Sequence, residues 1–293
     1  MNWNDIFLAL GARIARRDEL IHRGATGRAL SAAVKSGHLV RVRRDRYALP
    51  GTNRHVVEAV SIGGVLDCTS ALADIGVFVF DGGATHVRLP AAAARPPSAP
   101  NNRRVLGSNK SRDVEVHWRR LVDPLAATPE CVGLVDALIQ AARCQDPWHT
   151  VASIDNALHQ KLINGGDVAT IFEALPLTLQ YLRDLLDGRA ESGQESILRL
   201  ILESASLHYE VQVVIPGVGR VDFLVEGILV LEADSRLAHD GWDAHVRDTN
   251  RDITCGQLGY MTLRPLYEHT MHQPHLVLAA IRGVLETARL RGR

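Results

Sequence analysis

The chain has 293 residues, with 33 basic and 33 acidic side chains that leave no formal net charge. That length exceeds what one core usually organises, so two or three domains are expected, and an apolar content of 46% excludes a disordered chain. No apolar run reaches the roughly 18–20 residues of a membrane-spanning helix, which excludes that class.

The zero balance conceals an asymmetry. Residues 1–50 carry ten Lys/Arg against four Asp/Glu, whereas residues 191–252 carry five Arg against twelve acids. A basic front suits nucleic acid and an acidic back suits cations. The opening MNWNDIFLAL lacks the basic start and long apolar stretch of a secretory leader. Cys68, Cys131, Cys144 and Cys255 form no C-x-x-C pair and read as reduced core thiols rather than a disulfide set or a zinc site. A cytoplasmic protein is therefore expected.

Three short helical patterns open the chain. Asn4–Leu10 has Ile6, Leu8 and Leu10 as its apolar side, and Arg16–His22 turns Leu20 and Ile21 inward. Thr26 then suits an N-cap for Gly27–Ser36, with Gly37 as its stop. Leu30, Ala33 and Val34 share one face of that third helix, leaving Arg28, Ser31 and Lys35 off it. HLVRVRRDRYALPG follows as two short strands turning near Arg44-Asp45. Helix, helix, helix and basic hairpin predict a winged helix-turn-helix over 1–50. Its third helix would enter a major groove of DNA while Arg41, Arg43, Arg44 and Arg46 lie along phosphates. The segment resembles the N-terminal domain of AbiEi-type antitoxins through Gly37, Leu39, Arg41 and Tyr47-Ala48-Leu49. Asp45 stands where that pattern usually has glycine.

Residues 51–190 read as a mixed region passing into a helical connector. Helices are expected at His55–Val60 and from Thr69, and strands at Thr85–Leu89 and Val114–Trp118. The Pro- and Ala-rich PAAAARPPSAPNNRR between the strands reads as a surface loop. Ser70-Ala71-Leu72 and His86-Val87 match short motifs that follow the winged helix in AbiEi-type proteins, and His86 and His117 read as structural strand histidines. VGLVDALIQAARC, HTVASIDNALHQKLI and Leu177–Leu186 have helical apolar spacing, and Asp155 is placed to cap or brace a neighbour.

From Ser192 the expected order is a helix (193–206), three strands (211–215, 220–226, 228–234), a helix (243–257), a strand (260–264) and a last helix (274–289). This is the core order of PD-(D/E)XK nucleases, so the expected fold class is α+β or α/β with a restriction-endonuclease-like domain over 191–293. Asp222 and Glu232 fall inside apolar strands, where carboxylates are costly to bury without a partner. Matching the apolar faces of the two strands pairs Asp222 with Glu232, a register that needs a three-residue loop or a bulge, and a bulge at Gly227 is expected.

The run also resembles a domain family grouped with the very-short-patch-repair (Vsr) endonucleases. The matching residues are Ser192-Gly193-Gln194-Glu195-Ser196, Gln212, Ile215, Gly217, Gly219–Phe223, Glu232, Asp234, His239, Asp248, Arg251-Asp252, Gly259-Tyr260 and Leu263-Arg264. Ser235 and Thr249 depart from the family's Gly and Arg, and Asp234 stands where PD-(D/E)XK enzymes have lysine. The resemblance implies that a histidine replaces that lysine, which makes His239 the candidate.

On this reading Asp222 and Glu232 hold Mg²⁺ or Mn²⁺, His239 accepts a proton and Arg251 neutralises charge on the phosphate. Asp248 and Asp252, spaced i, i+4, face the metal or hold His239 and Arg251. Glu195 is a further site acid, although Ser192-x-x-Glu195 is equally a capping box. The function expected is a metal-dependent DNA endonuclease in repair or defence, with DNA and a repair protein as partners. The alternative is an AbiEi-type antitoxin that represses its own operon, partnered by a cognate toxin and carrying an inactive nuclease fold.

Overall fold

A computed structural model describes residues 1–80, 83–90, 114–234 and 242–291. The chain is mixed α+β, as expected, with three small sheets among the described residues. It packs as two compact units, one comprising Met1–Gln145 with Gly166–Leu175, the other Asp146–Gly165 with Pro176–Arg293. No helix among the described residues is long and apolar enough to cross a membrane.

The first unit begins α1 (Trp3–Leu10), β1 (Ile14–Arg16), α2 (Arg17–His22), α3 (Gly27–Lys35), β2 (Val40–Arg43) and β3 (Arg46–Ala48). Thr26 Oγ1 accepts the Ala29 N–H at 3.2 Å, and Gly37 takes a φ of 77° just beyond α3, so both ends of that helix are set locally. Phe7, Leu20, Leu30, Ala33, Leu39 and Tyr47 bury into one cluster, which packs the three helices with the strands. The sheet order is β1-β3-β2, so Ile14–Arg16 adds a third strand to the expected hairpin. Three residues between two helices are too few to show alternation in the sequence. Asp45 turns the hairpin at φ 58°, a left-handed conformation that aspartate tolerates better than most residues. The position therefore explains both the glycine of the resembling pattern and the tolerated departure from it.

The unit continues with α4 (Arg54–Ser61), β4 (Val65–Leu66), α5 (Cys68–Ile75), β5 (Thr85–Arg88), β6 (Val114–His117) and α6 (Leu134–Cys144). β5 pairs antiparallel with β4 and parallel with β6, with Arg88 opposite His117. Of the expected surface loop, all but Pro90 lies outside the described residues.

The second unit holds α7 (Pro147–His159), and α8 (Gly165–Ala174) returns the chain to the first. There follow a 3₁₀ segment (Leu177–Leu185), α9 (Gly193–Ser204), β7 (Tyr209–Ile215), β8 (Gly219–Val225), β9 (Leu229–Leu231), α10 (Trp242–Gln257), β10 (Met261–Leu263), α11 (Tyr267–His272) and α12 (Pro274–Arg291). The sheet order is β10-β9-β8-β7, antiparallel except that β10 lies parallel to β9. A parallel pair needs a crossover, and α10 lies in it.

The register is the one that the apolar faces demand. Phe223 pairs with Leu231 and Val225 with Leu229, across a three-residue loop of Glu226, Gly227 and Ile228 in place of the expected bulge. Glu226 (φ 50°) and Gly227 (φ 71°) are both left-handed. Glu226 is held there by a reciprocal pair with His208: its N–H donates to the His208 carbonyl (2.9 Å) and its carboxylate accepts the His208 N–H (3.0 Å). The ladder ends at Phe223 and Leu231, one step short of Asp222 and Glu232, and beyond it the Asp222 carboxylate accepts the Ala233 N–H.

Asp155 does brace a neighbour. Fully buried on α7, it accepts hydrogen bonds from the Asp187 N–H (2.7 Å), Ser196 Oγ (2.9 Å) and Arg199 Nη2 (2.9 Å), fixing α9 to the segment before it. Arg199, also buried, reaches Glu203 (2.8 Å) and the Leu185 carbonyl (2.6 Å).

Candidate functional site

The candidate acids of the second unit fall into two groups with different partners. In the first, Asp222 on β8 and Glu195 on α9 share a cavity of about 10 Å³, room for one water-sized occupant, with Gln212 and Phe223 also on its wall. Asp222 Oδ2 accepts the Ala233 N–H at 2.8 Å. Burial, and then the negative charge of Glu195, push the Asp222 carboxyl from its ordinary 3.8 up to about 6. Burial also raises Glu195, against hydrogen bonds from Glu191 and Ser192.

The Ser192 cap is real, since its Oγ accepts the Glu195 N–H at 3.2 Å. The Glu195 carboxylate nevertheless reaches past the cap to the Glu191 N–H (3.0 Å) and to Gln212 Nε2 (3.0 Å). It therefore serves helix and cavity together. Gln212 lies on β7 at φ 53°, and its Oε1 is buried without a hydrogen-bond partner. This buried amide oxygen is a third oxygen donor on the cavity wall beside the two carboxylates, and Arg189 and Arg199 line the same cavity.

In the second group guanidinium ions supply the positive charge. Glu232, 8% exposed, meets Arg251 Nη2 through Oε1 (2.6 Å) and Arg264 Nη2 through Oε2 (2.6 Å). The Arg264 contact is a close charge pair without hydrogen-bond alignment, so Glu232 Oε2 remains formally unsatisfied. Arg264 also pairs with Asp252 (2.9 Å) and Asp248 (3.7 Å), the i, i+4 acids of α10. These two expected supporting residues therefore hold Arg264. Arg251 Nη2 additionally donates to the Arg220 carbonyl at 2.8 Å, which ties α10 to β8. The Asp234 N–H bonds the Pro265 carbonyl at 3.3 Å, carrying the β9 line on past Glu232. His239, the expected proton acceptor, lies outside the described residues.

Glu195, Asp222, Glu232, Asp234, Asp248 and Asp252 do not gather at one point. Among the described residues, only Cys68, His86, His117 and Cys144 bring three or more Cys, His, Asp or Glu ligand atoms close enough together for a metal ion. Two arginines relieve the repulsion within the Glu232 group, whereas no such ion pair reaches Asp222 or Glu195 among the described residues. Gln212 and Arg264 appear in the Vsr-like pattern, but nothing in their spacing shows that they contact the acids. The Cys/His cluster has no spacing signal at all, because its four members come from four elements.

In the first unit, Arg28, Ser31 and Lys35 are all exposed on α3. Their i, i+3, i+7 spacing puts them on one face. In the hairpin Arg41, Arg43 and Arg44 are exposed and Arg46 is half-buried. Arg44 pairs loosely with Asp45 at 3.6 Å, and the Arg43 guanidinium lies over Gly63, where an added Cβ would stand 2.7 Å from Nη1. Exposed guanidinium groups along a hairpin and a cationic helix face form the electrostatic surface that a phosphate backbone attracts.

Compared with known proteins, the chain matches no family model and no curated sequence, so its two resemblances rest on the motifs that carry them.

Proposed function

We propose that the chain binds DNA through α3 and the β2–β3 hairpin, and that its second unit is a divalent-metal-dependent endonuclease acting in repair or defence. The order α9–β7–β8–β9–α10–β10, with β10 parallel to β9, supports a PD-(D/E)XK, Vsr-like reading of that unit. Three helices closing on a basic hairpin support the winged-helix, AbiEi-like reading of the first.

The observation that carries the catalytic reading is the Asp222–Glu195 pair. Both carboxylates line one small cavity, where burial and the charge of Glu195 make ionisation of Asp222 costly, and a cation there would favour the ionised forms. Glu195, Asp222 and Gln212 Oε1 would hold Mg²⁺ or Mn²⁺, in place of the Asp222–Glu232 pair expected from sequence. When bound, the metal supplies Lewis-acid polarisation of a phosphate and a water of lowered pKa. Glu232 then acts by positioning Arg251 towards the phosphate, with Arg264 locked by Asp248 and Asp252 behind it. Asp234 occupies the lysine position of PD-(D/E)XK enzymes, and His239 is the residue assigned to accept a proton.

A second reading is favoured by the Glu232 group. Two arginines already neutralise it, as expected of a scaffold that has no need of a metal. On that reading the chain is an AbiEi-type repressor. The deciding experiment incubates supercoiled, linear and mismatched DNA with Mg²⁺ or Mn²⁺ and wild type, Asp222→Asn or Glu195→Gln protein. Nicking by the wild type, reduced at least a hundredfold in both variants with DNA binding retained, establishes the endonuclease. Undiminished DNA binding with no cleavage by any form establishes the repressor.

A further inference from the structure

Four side chains that the proposed function does not use meet in the first unit. Cys68 opens α5, His86 lies on β5, His117 ends β6 and Cys144 ends α6. Their ligand atoms all lie within 4.8 Å of one another. His86 Nδ1 stands 3.0 Å from His117 Nε2, with the rings stacked 5.2 Å apart at 21°. Gln140, one helical turn before Cys144, lies 3.2 Å from both His117 Nδ1 and Cys144 Sγ.

We propose that Cys68, His86, His117 and Cys144 form a Cys₂His₂ zinc site that ties α5, β5, β6 and α6 together. The donor set is the one zinc prefers, two thiolates and two imidazoles, whose two negative charges balance the ion. Zn–S bonds of about 2.3 Å and Zn–N bonds of about 2.0–2.1 Å put tetrahedral ligand atoms about 3.3–3.8 Å apart. The ligand atoms, 3.0 Å apart at the two imidazoles and within 4.8 Å throughout, bracket that range, so the imidazole nitrogens open by a few tenths of an ångström and the widest pair closes by about 1 Å at most.

Four protein ligands close the coordination sphere, which marks a structural centre and not a catalytic one. Gln140 Nε2 donates to Cys144 Sγ at 3.2 Å, the kind of outer hydrogen bond that orients a ligating thiolate. Cys68 is buried, the histidines are half-buried and Cys144 is exposed, so the metal has a path of entry on the Cys144 side. Cys68 also holds a left-handed φ of 54° at the first position of α5, its N–H bonded to Asp67 Oδ1 at 2.7 Å, which directs that helix start at the cluster. The site is independent of the nuclease reading and shares no residue with the carboxylate cavity.

The test takes the full chain, reduced and stripped of metal with a chelator, and titrates it with Co²⁺ and then Zn²⁺. The expected result is saturation at one equivalent, with a thiolate-to-cobalt charge-transfer band and the strong visible bands of a tetrahedral site, all bleached by Zn²⁺. An oxygen-only site cannot give the charge-transfer band, so Co²⁺ in the carboxylate cavity does not mimic this result. Cys144→Ser, at the exposed ligand, is expected to weaken Zn²⁺ binding more than about 100-fold. Gln140→Ala, which keeps all four ligands, should weaken it about 10–100-fold. A missing charge-transfer band, or a band unchanged in Cys144→Ser, overturns the site. So does a Cys68–Cys144 disulfide in protein isolated without reductant under argon.

Discussion

Asp155, fully buried, and Asp222, half-buried, are aspartates of the second unit whose carboxyls burial pushes up alike to about 6, and it is their partners that differ. Asp155 is completed by the chain: a buried arginine, a hydroxyl and a backbone N–H occupy its two oxygens. Asp222 has one backbone N–H and, as its neighbour, another carboxylate. The charge of Asp155 is met by the chain and ties elements of the scaffold together, whereas Asp222 faces another carboxylate, a setting that a bound cation would stabilise. Glu232 stands between them, its oxygens met by two partly exposed arginines.

Removing the compensation should break this contrast most visibly at Asp155. Asp155→Ala strands Arg199 in the interior and is expected to cost about 3–5 kcal/mol in urea unfolding. A loss below about 1 kcal/mol would mean that the brace is not structural.

Asp222 should respond in the opposite direction. Its folded pKa of about 6 lies above the ordinary 3.8, so the stability from its protonated form is complete below about pH 4 and is lost as pH rises through about 6. Asp222→Asn, neutral at every pH, is therefore expected to be more stable than wild type at pH 7, by up to about 3 kcal/mol. That advantage should vanish near pH 4. Saturating Mn²⁺, at about 100 times its Kd, should return about 2.7 kcal/mol to the wild type and nothing to the variant. Melting curves at pH 4 and 7, with and without Mn²⁺, test both statements.

The smallest expected effect is at Glu232. Glu232→Gln removes one charge, but Arg264 keeps Asp248 and Asp252 and Arg251 keeps the Arg220 carbonyl, so a loss of about 1–2 kcal/mol is expected. If this substitution destabilised as much as Asp155→Ala, Glu232 would belong with the scaffold and its role in positioning Arg251 would fall.

Much of the element order was legible because local rules agree with the fold. Thr26 and Gly37 bound α3, Ser192 starts α9, and the alternation of β8 and β9 selects their register, though not the three-residue loop that closes it. Strands of two or three residues, Ile14–Arg16 and Val65–Leu66, were not legible, because too few positions exist to show a period. α11 was likewise hidden in six residues, YEHTMH, that carry no apolar stripe.

Legibility of the sites followed the same division. The amino-acid order by itself determined that carboxylates fall on β8, at the end of β9 and on α9 and α10, since strand register and helix spacing act over a few residues. It determined equally the cationic residues of α3 and of the hairpin. Only the tertiary structure decided which charge each acid meets: Glu195 for Asp222, Arg251 and Arg264 for Glu232, Arg199 for Asp155. It alone brought Cys68, His86, His117 and Cys144 together. These are contacts between elements distant in the chain, and residue spacing encodes only neighbours on one helix or one strand pair.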